Sequence, residues 1–149
     1  ILDVDLDEQN NRLYFLEEET IGPNSYALMR VGTDGTNVVN LLENDETTTE
    51  PQPSALTLDI VNNRLFFVGR LGTTYEMGGL SGTPAVSAVG ATAGAYGDSV
   101  AFSHVDDELY LPREMTPGDL QSVRVSSGVV TNYNTVAADH ALDLLVPRR

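Results

Sequence analysis

The sequence opens with acidic residues at alternating positions. Asp3, Asp5 and Asp7 are each separated by one residue, and Glu8 follows directly. Hard divalent cations such as Ca²⁺ bind several carboxylate oxygens, so the three aspartates are a candidate metal site and Ca²⁺ the candidate ion. The spacing lacks the glycine at the sixth position and the glutamate at the twelfth position of an EF-hand loop. The alternative is a solvated acidic face, because alternate residues of a strand share one side.

The two histidines offer a second kind of chemistry. His104 and His140 are the only histidines in the chain. Together with Asp106, Asp107 or Asp139 they have the donor types needed to bind a metal or to act as acid and base. The chain contains no cysteine, so thiolate metal sites, cysteine nucleophiles and disulfides are excluded. It also lacks a Gly-x-Ser-x-Gly elbow.

Composition restricts the partners. The chain has 22 acidic and 8 basic residues, all of the latter arginine, and a formal net charge of −14. This charge repels a phosphate backbone, so no nucleic acid partner is expected. No apolar run of about 18 residues occurs, and we expect no insertion into a membrane. Divalent cations, cationic proteins and neutral glycans remain compatible with the charge.

A threonine run lies in a stretch that resembles a linker. Thr47, Thr48 and Thr49 precede Pro51 and Pro53, and this composition predicts a linker over residues 47–53. In a secreted protein these threonines are candidates for O-linked sugars. No Asn-x-Ser/Thr sequence occurs, so N-glycosylation is not expected.

An internal repeat determines which elements position these side chains. Residues 10–15 recur at 62–67 and, more weakly, at 107–111, with a period of roughly 42 to 52 residues. Each copy follows a short run of alternating apolar residues, which is typical of a strand, and a polar turn that contains asparagine separates the two. Two more strand-like runs complete each repeat, and four antiparallel strands make one blade of a β-propeller.

The sequence therefore predicts an all-β fold, a β-propeller segment of about three four-stranded antiparallel blades plus the first strand of a fourth. The recurring aromatic residues are expected in the core between blades; they are Tyr14, Phe15, Phe66, Phe67 and Tyr110. The predicted division of the chain is blade 1 at 1–46, a linker at 47–53, blade 2 at 54–92, blade 3 at 96–136 and the first strand of blade 4 at 139–147.

These repeats resemble the YWTD repeats, the class B repeats of low-density-lipoprotein-receptor proteins. In the first two copies an aspartate, Asp7 or Asp59, stands six positions before the leucine of a Leu-aromatic-aromatic run. The tryptophan and the Thr-Asp pair of the family are missing, since the sequence has Tyr-Phe-Leu-Glu at 14–17 and Phe-Phe-Val-Gly at 66–69. The resemblance implies an extracellular or cell-surface location and blade-to-blade hydrogen bonds from the two aspartates.

Three blades cannot close a ring, because known rings have four to eight. The run at the end of the chain is apolar and is predicted to be an exposed edge strand that associates, through Ala141, Leu142, Leu144 and Val146. Two explanations remain open. Either the 149 residues are part of a longer polypeptide, or the open edges are used between chains, by pairing two copies into a six-bladed ring or by donating the last strand to a neighbour.

The expected function is non-catalytic: an extracellular propeller segment that binds a protein or a glycan, or that builds an assembly with further blades of the same or another chain. No cofactor is expected. The alternative is a fragment of a propeller enzyme, a hydrolase or lactonase with a metal in its channel. That enzyme requires acidic residues and histidine to converge, with Asp3, Asp5, Asp143 and His104 as the members to examine.

Overall fold

A computed structural model describes residues 1–19, 25–44, 53–69, 72–80, 84–91, 99–113 and 119–134. Within these ranges every regular element is a β-strand. No helix with the length and apolar character needed to cross a membrane occurs in the described part of the chain. The predicted all-β class is thus confirmed, whereas the predicted strand at 139–147 and the threonines at 47–49 lie outside the described residues.

The described residues contain twelve strands, which form three separate four-stranded antiparallel sheets, each built from consecutive strands. Sheet 1 contains β1 (Asp3–Asp7), β2 (Arg12–Glu19), β3 (Ser25–Gly32) and β4 (Val39–Asn44). Sheet 2 contains β5 (Pro53–Asp59), β6 (Arg64–Gly69), β7 (Thr73–Gly78) and β8 (Ala85–Ala91). Sheet 3 contains β9 (Ala101–Ser103), β10 (Glu108–Arg113), β11 (Asp119–Arg124) and β12 (Val130–Asn134). Strand β5 begins at Pro53, which the sequence places in the linker.

The turn between the first two strands of each sheet has the same backbone shape. Asn11, Asn63 and Asp107 occupy equivalent positions and have φ values of 52°, 52° and 55°. Asparagine and aspartate tolerate this left-handed conformation better than other residues with a side chain. The polar turn predicted from its asparagines is therefore confirmed, and it fixes the register of each hairpin.

The sheets stack so that sheet 2 lies between the other two. One apolar cluster joins Tyr14, Leu16 and Leu28 of sheet 1 to Leu65 and Phe67 of sheet 2. A second cluster joins the other face of sheet 2 to sheet 3, through Phe66, Val68, Phe102, Leu109, Leu111 and Val123. Because β6 is covered on both faces, its central residues are all buried, and its sequence shows no polar alternation.

The prediction that the recurring aromatic residues pack between sheets holds for three of the five. Tyr14, Phe66 and Phe67 are fully buried. Phe15 and Tyr110 are only partly buried because they lie on the two faces of the stack that no described sheet covers. Their position in the stack, and not their residue type, sets this difference.

Candidate functional site

Two of the acidic residues predicted to bind a metal connect sheet 1 to sheet 2. The backbone N–H of Leu56 donates to Asp3 Oδ2 at 2.8 Å, and that of Leu58 donates to Asp5 Oδ2 at 3.0 Å. The other oxygen of each carboxylate accepts the N–H of the next residue in β1, at 2.8 Å in both cases. Each aspartate thus bridges β1 and the edge of β5 and provides acceptors for backbone donors that lack a strand partner on that side.

The net effect of these contacts and of the burial of Asp3 is a raised pKa of its carboxyl group. Burial raises the pKa of its carboxyl group, and this effect outweighs the hydrogen bonds from the N–H groups of Leu56 and Val4, which lower the pKa. The negative charge of Asp5 raises the pKa of Asp3 further. The described residues contain no group of three or more histidine, cysteine or acidic side chains arranged for a metal ion. Calcium binding at Asp3, Asp5 and Asp7 stays a prediction from the sequence.

Asp7 and Asp59 each stabilise the turn that follows their own strand. Asp7 accepts hydrogen bonds from the backbone N–H and the side-chain amide of Asn10, at 3.0 and 2.7 Å. Asp59 accepts the equivalent two bonds from Asn62, at 3.3 and 2.8 Å. The resemblance to YWTD repeats implies that these aspartates hydrogen-bond between blades, but the described bonds stay within one sheet. Asp3 and Asp5 make the bonds between sheets instead.

Asp59 also anchors an ion-pair cluster at the junction of sheets 2 and 3. Arg64 Nη2 lies 2.6 Å from Asp59 Oδ2, and Arg64 Nε donates to the same oxygen at 3.0 Å. Burial raises the pKa of Asp59, but the hydrogen bonds from Asn62 and Arg64 together lower it by more than burial raises it. The pKa of Asp59 therefore lies below its ordinary value. Arg64 also lies 3.9 Å from Asp107 of sheet 3, so the cluster spans the junction.

The described residues do not place the members of the histidine hypothesis together in one site. His104 Nδ1 lies 3.6 Å from Asp59 Oδ1, and its side chain is largely exposed. Asp106 accepts a hydrogen bond from the Ser103 hydroxyl at 2.8 Å, so it closes a turn. The other members of the hypothesis, His140, Asp139 and Asp143, lie outside the described residues. So do Ala141, Leu142, Leu144 and Val146 of the predicted edge strand.

A polar depression lies beside sheet 3 on the side away from sheet 2. It measures about 620 Å³ and is lined by Asp106, Asp107, Glu108, Tyr110, Arg124, Ser126 and Tyr133. Glu108 pairs with Arg124 at 2.9 Å. Hydrogen bonds from Ser122 and then Arg124 hold the pKa of Glu108 below its usual range, although burial opposes them. Burial and the nearby charges of Glu108 and Asp106 raise the pKa of Tyr110.

Sequence reasoning did not find this cluster. The sequence signal that could have revealed it is a reversal of charge within the repeat. Glu108 occupies the position that is Arg12 in sheet 1 and Arg64 in sheet 2. Tyr133 also lines the depression, and the pairing of β11 with β12 places it opposite Leu120. Its ring centre is 6.4 Å from that of Tyr110.

Sheet 1 also carries an apolar face that no described sheet covers. Two rows of directly paired residues form the outer face of sheet 1, which consists of Val4, Phe15 and Met29 in one row and Leu6, Leu13 and Val31 in the other. None of these six side chains belongs to either of the two apolar clusters of the described residues. Val4 is 54% exposed, whereas Leu56 at the same position of sheet 2 is 3% exposed.

No protein-family model matches the chain, and no curated protein is detectably similar in sequence. Solved structures are similar in fold. A chain of a nidogen/laminin complex superposes on 89% of this chain with a TM-score of 0.72 and 14% identity. A proposed 6-phosphogluconolactonase from Bacteroides uniformis gives 0.56 over 91%, also at 14% identity, and a protein from Lactobacillus plantarum gives 0.50 over 94% at 14% identity.

The chain spans 46%, 42% and 57% of the length of these three structures, which is about half. At such identities the similarity shows the fold alone. The consecutive antiparallel strands and the face-to-face stack of sheets agree with that fold. The chain is therefore a segment of a β-propeller, and its three sheets are blades.

Proposed function

We propose that this chain is a non-catalytic propeller segment with YWTD-like repeats, located outside the cell or on its surface. It binds a protein or a glycan, or it builds an assembly. The observation that carries the proposal is the use of the acidic side chains. Asp3 and Asp5 accept backbone N–H groups across a sheet junction, and Asp59 is engaged by Asn62 and Arg64, so all three hold the fold together.

A protein partner is supported by the similarity to a structure that was solved as a complex of nidogen with laminin. The formal charge of −14 favours a cationic surface on that partner and predicts that binding weakens as salt rises.

The test immobilises the full chain and probes it by surface plasmon resonance with laminin, with a basic protein of similar size and with neutral oligosaccharides. Saturable binding of laminin or of an oligosaccharide supports the proposal. Equal binding of the basic protein, lost entirely at 0.5 M NaCl, shows charge attraction alone and contradicts it. The matched control is an unrelated protein of similar size and net charge, immobilised at the same density.

A lactonase-like enzyme is the second candidate. The similarity to the proposed 6-phosphogluconolactonase favours it, as does the depression lined by Glu108 and Arg124. The test measures hydrolysis of 6-phosphogluconolactone with added Ca²⁺ and with a chelator. Hydrolysis that disappears in Glu108→Gln but persists in Glu8→Gln, an exposed turn residue, supports the enzyme. Rates equal to the uncatalysed rate in all samples exclude this activity.

A further inference from the structure

The tips of two neighbouring turns carry exposed valines. Val61 lies in the turn of residues 60–63 between β5 and β6, and Val105 lies in the turn of residues 104–107 between β9 and β10. Val61 is 67% exposed and Val105 is 89% exposed. The equivalent position of sheet 1 is Gln9, which is polar. An apolar tip is therefore a feature of sheets 2 and 3 and not of the repeat as a whole.

Neither turn needs a valine in order to form. Other side chains close the two turns, since Asp59 accepts hydrogen bonds from Asn62 in one, and the Ser103 hydroxyl donates to Asp106 in the other. Turns favour glycine, proline, asparagine, aspartate and serine, whereas β-branched residues favour strands. The two valines thus oppose local preference and gain little burial within the described chain, which points to a contact outside it.

The two turns are held side by side. Arg64, which follows the first turn, has its Nη2 atom 2.6 Å from Asp59 Oδ2 and 3.9 Å from Asp107 Oδ1 of the second turn. Its guanidinium carbon also lies 5.1 Å from the ring centre of Phe66 in sheet 2 and 5.9 Å from that of Phe102 in sheet 3. The two tips are therefore neighbours on one surface whose backbone is fixed in advance, which lowers the entropy cost of binding.

The rim of this surface is acidic. Asp106 is exposed and Asp107 is partly exposed, and both lie in the same turn as Val105. The positive charge of Arg64 is matched by the buried carboxylate of Asp59, so it does not offset the rim. An apolar centre inside a polar rim is the usual arrangement of a protein interface, and acidic groups in the rim select basic groups on the partner.

The position of the turns keeps this surface accessible when further blades are added. The two junctions of the stack form between the faces of sheets. The turns of residues 60–63 and 104–107 lie instead at the ends of strands. A further sheet that packs face to face on sheet 1 or on sheet 3 lengthens the stack sideways and leaves the turn tips uncovered. The surface is therefore independent of the number of blades.

We propose that Val61 and Val105, with Asp106 and Asp107 as the rim, form a docking surface for a protein segment that presents apolar side chains between arginines or lysines. The apolar side chains cover the valines, and the basic side chains pair with the carboxylates. A neutral glycan offers neither group. This inference rests on the proposed binding function and names the chemistry of the partner.

The experiment is a titration of the full chain, with ¹³C-labelled methyl groups, followed by NMR at 0.15 M NaCl. The probe is a ten-residue peptide in which two leucines are each flanked by arginines. The methyl signals of Val61 and Val105 should shift and saturate. Two control peptides replace the leucines by serines or the arginines by glutamates, and each should bind at least about fivefold more weakly, because one of the two attractions is lost.

Variants of the chain assign the binding to the surface. Val61→Ser and Val105→Ser should each weaken binding of the leucine peptide at least about threefold, and the double variant at least about tenfold. Val38→Ser is the matched control and should leave binding unchanged, since Val38 is 60% exposed in a turn of sheet 1. Serine suits an exposed turn, so all of these variants should fold, and their urea midpoints check this.

Three results overturn the docking surface. They are the absence of a saturable shift at Val61 and Val105, equal affinity for the leucine and serine peptides, and equal effects of Val105→Ser and Val38→Ser. Binding of laminin or of an oligosaccharide to the same chain, measured by surface plasmon resonance, separates this inference from the proposed function. Where such binding is found but the peptide fails, the proposed function stands and the docking surface does not.

Discussion

Aspartate has two structural roles in this chain, and its pKa moves in opposite directions in them. Asp3 receives neutral N–H groups while burial and the negative charge of Asp5 act against its ionised form, so its pKa is raised. Asp59 receives the charged guanidinium of Arg64 and two bonds from Asn62, and its pKa is lowered despite burial. The difference follows mainly from the number of hydrogen bonds to the ionised form, four at Asp59 and two at Asp3, and the charge of Arg64 contributes less.

The lowered pKa of Asp59 predicts an acid-dependent loss of stability. Because its pKa is lower in the folded chain, the carboxylate stabilises the fold above its ordinary pKa of 3.8, and this contribution is lost as pH falls towards the folded value. Asp59→Asn should lower the free energy of unfolding by about 2 kcal/mol at pH 7, because it weakens a largely buried ion pair. Urea unfolding at pH 7 and pH 3 measures the difference between wild type and variant, which should shrink at pH 3.

Asp3→Asn is the contrasting control for that experiment. The raised pKa of Asp3 means that the folded chain binds its proton more tightly, so the contribution of Asp3 to stability falls as pH rises above 3.8. The variant should remove this slope, which has the sign opposite to that of Asp59. A constant difference between wild type and Asp59→Asn from pH 3 to pH 7 would contradict the assignment.

Tyr14 carries a buried hydroxyl that has no hydrogen-bond partner among the described residues. Phe66 occupies the equivalent position in sheet 2 and needs no polar partner. Tyr14→Phe should therefore leave the free energy of unfolding unchanged or raise it by up to about 1 kcal/mol. Tyr110→Phe is the matched comparison and should lose stability, because the Tyr110 hydroxyl hydrogen-bonds Glu108. Both are measured by urea unfolding.

At the scale of strands and sheets, the same repeat position has different surroundings in each sheet. Phe67 of sheet 2 is fully buried against sheet 1. Phe15 is its counterpart in sheet 1 and belongs to neither apolar cluster of the described residues. A strand of this fold is therefore stabilised by the sheet that precedes it as well as by its own hydrogen bonds.

Truncation of these two residues should separate the effects. Phe67→Ala should lower the free energy of unfolding by about 3–5 kcal/mol, because it leaves a cavity inside a packed junction. Phe15→Ala should cost only about 1 kcal/mol, because Phe15 is partly buried and its truncation leaves no closed cavity. The measurement is urea unfolding of wild type and of both variants at one low protein concentration. Equal costs at low concentration would contradict the stacking order.

The strands could be predicted from sequence because their signals are local. Alternation in β1, the aromatic run in β6 and the asparagine turns at Asn11 and Asn63 each lie within a few neighbouring residues. The bridges from Asp3 and Asp5 could not be predicted, because their partners are backbone N–H groups about fifty residues away and carry no side-chain signature. Glu108, Arg124 and Tyr133 escaped notice because three different strands bring them together.

At the scale of the whole molecule, the described sheets form two interior junctions, and the outer face of sheet 1 repeats the apolar chemistry of those junctions. That face carries apolar side chains that the interior sheets bury, such as Val4 at 54% exposure against Leu56 at 3%. A charge of −14 opposes association of such units, because each copy repels the other. Packing and charge therefore act in opposite directions on any assembly, and salt shifts the balance between them.

Salt should therefore stabilise the fold, because it screens the repulsion between the acidic side chains. At 0.01 M salt the Debye length is about 30 Å and repulsion acts across the whole chain, whereas at 0.5 M it is confined to a few ångströms. The Asp59–Arg64 pair, at 2.6 Å with Asp59 buried, is screened much less than surface repulsion. Urea midpoints should rise between 0.01 and 0.5 M NaCl. Guanidinium unfolding cannot test this, since the denaturant is itself a salt. Falling urea midpoints would mean that attractive surface pairs dominate, and the repulsion argument would then be wrong.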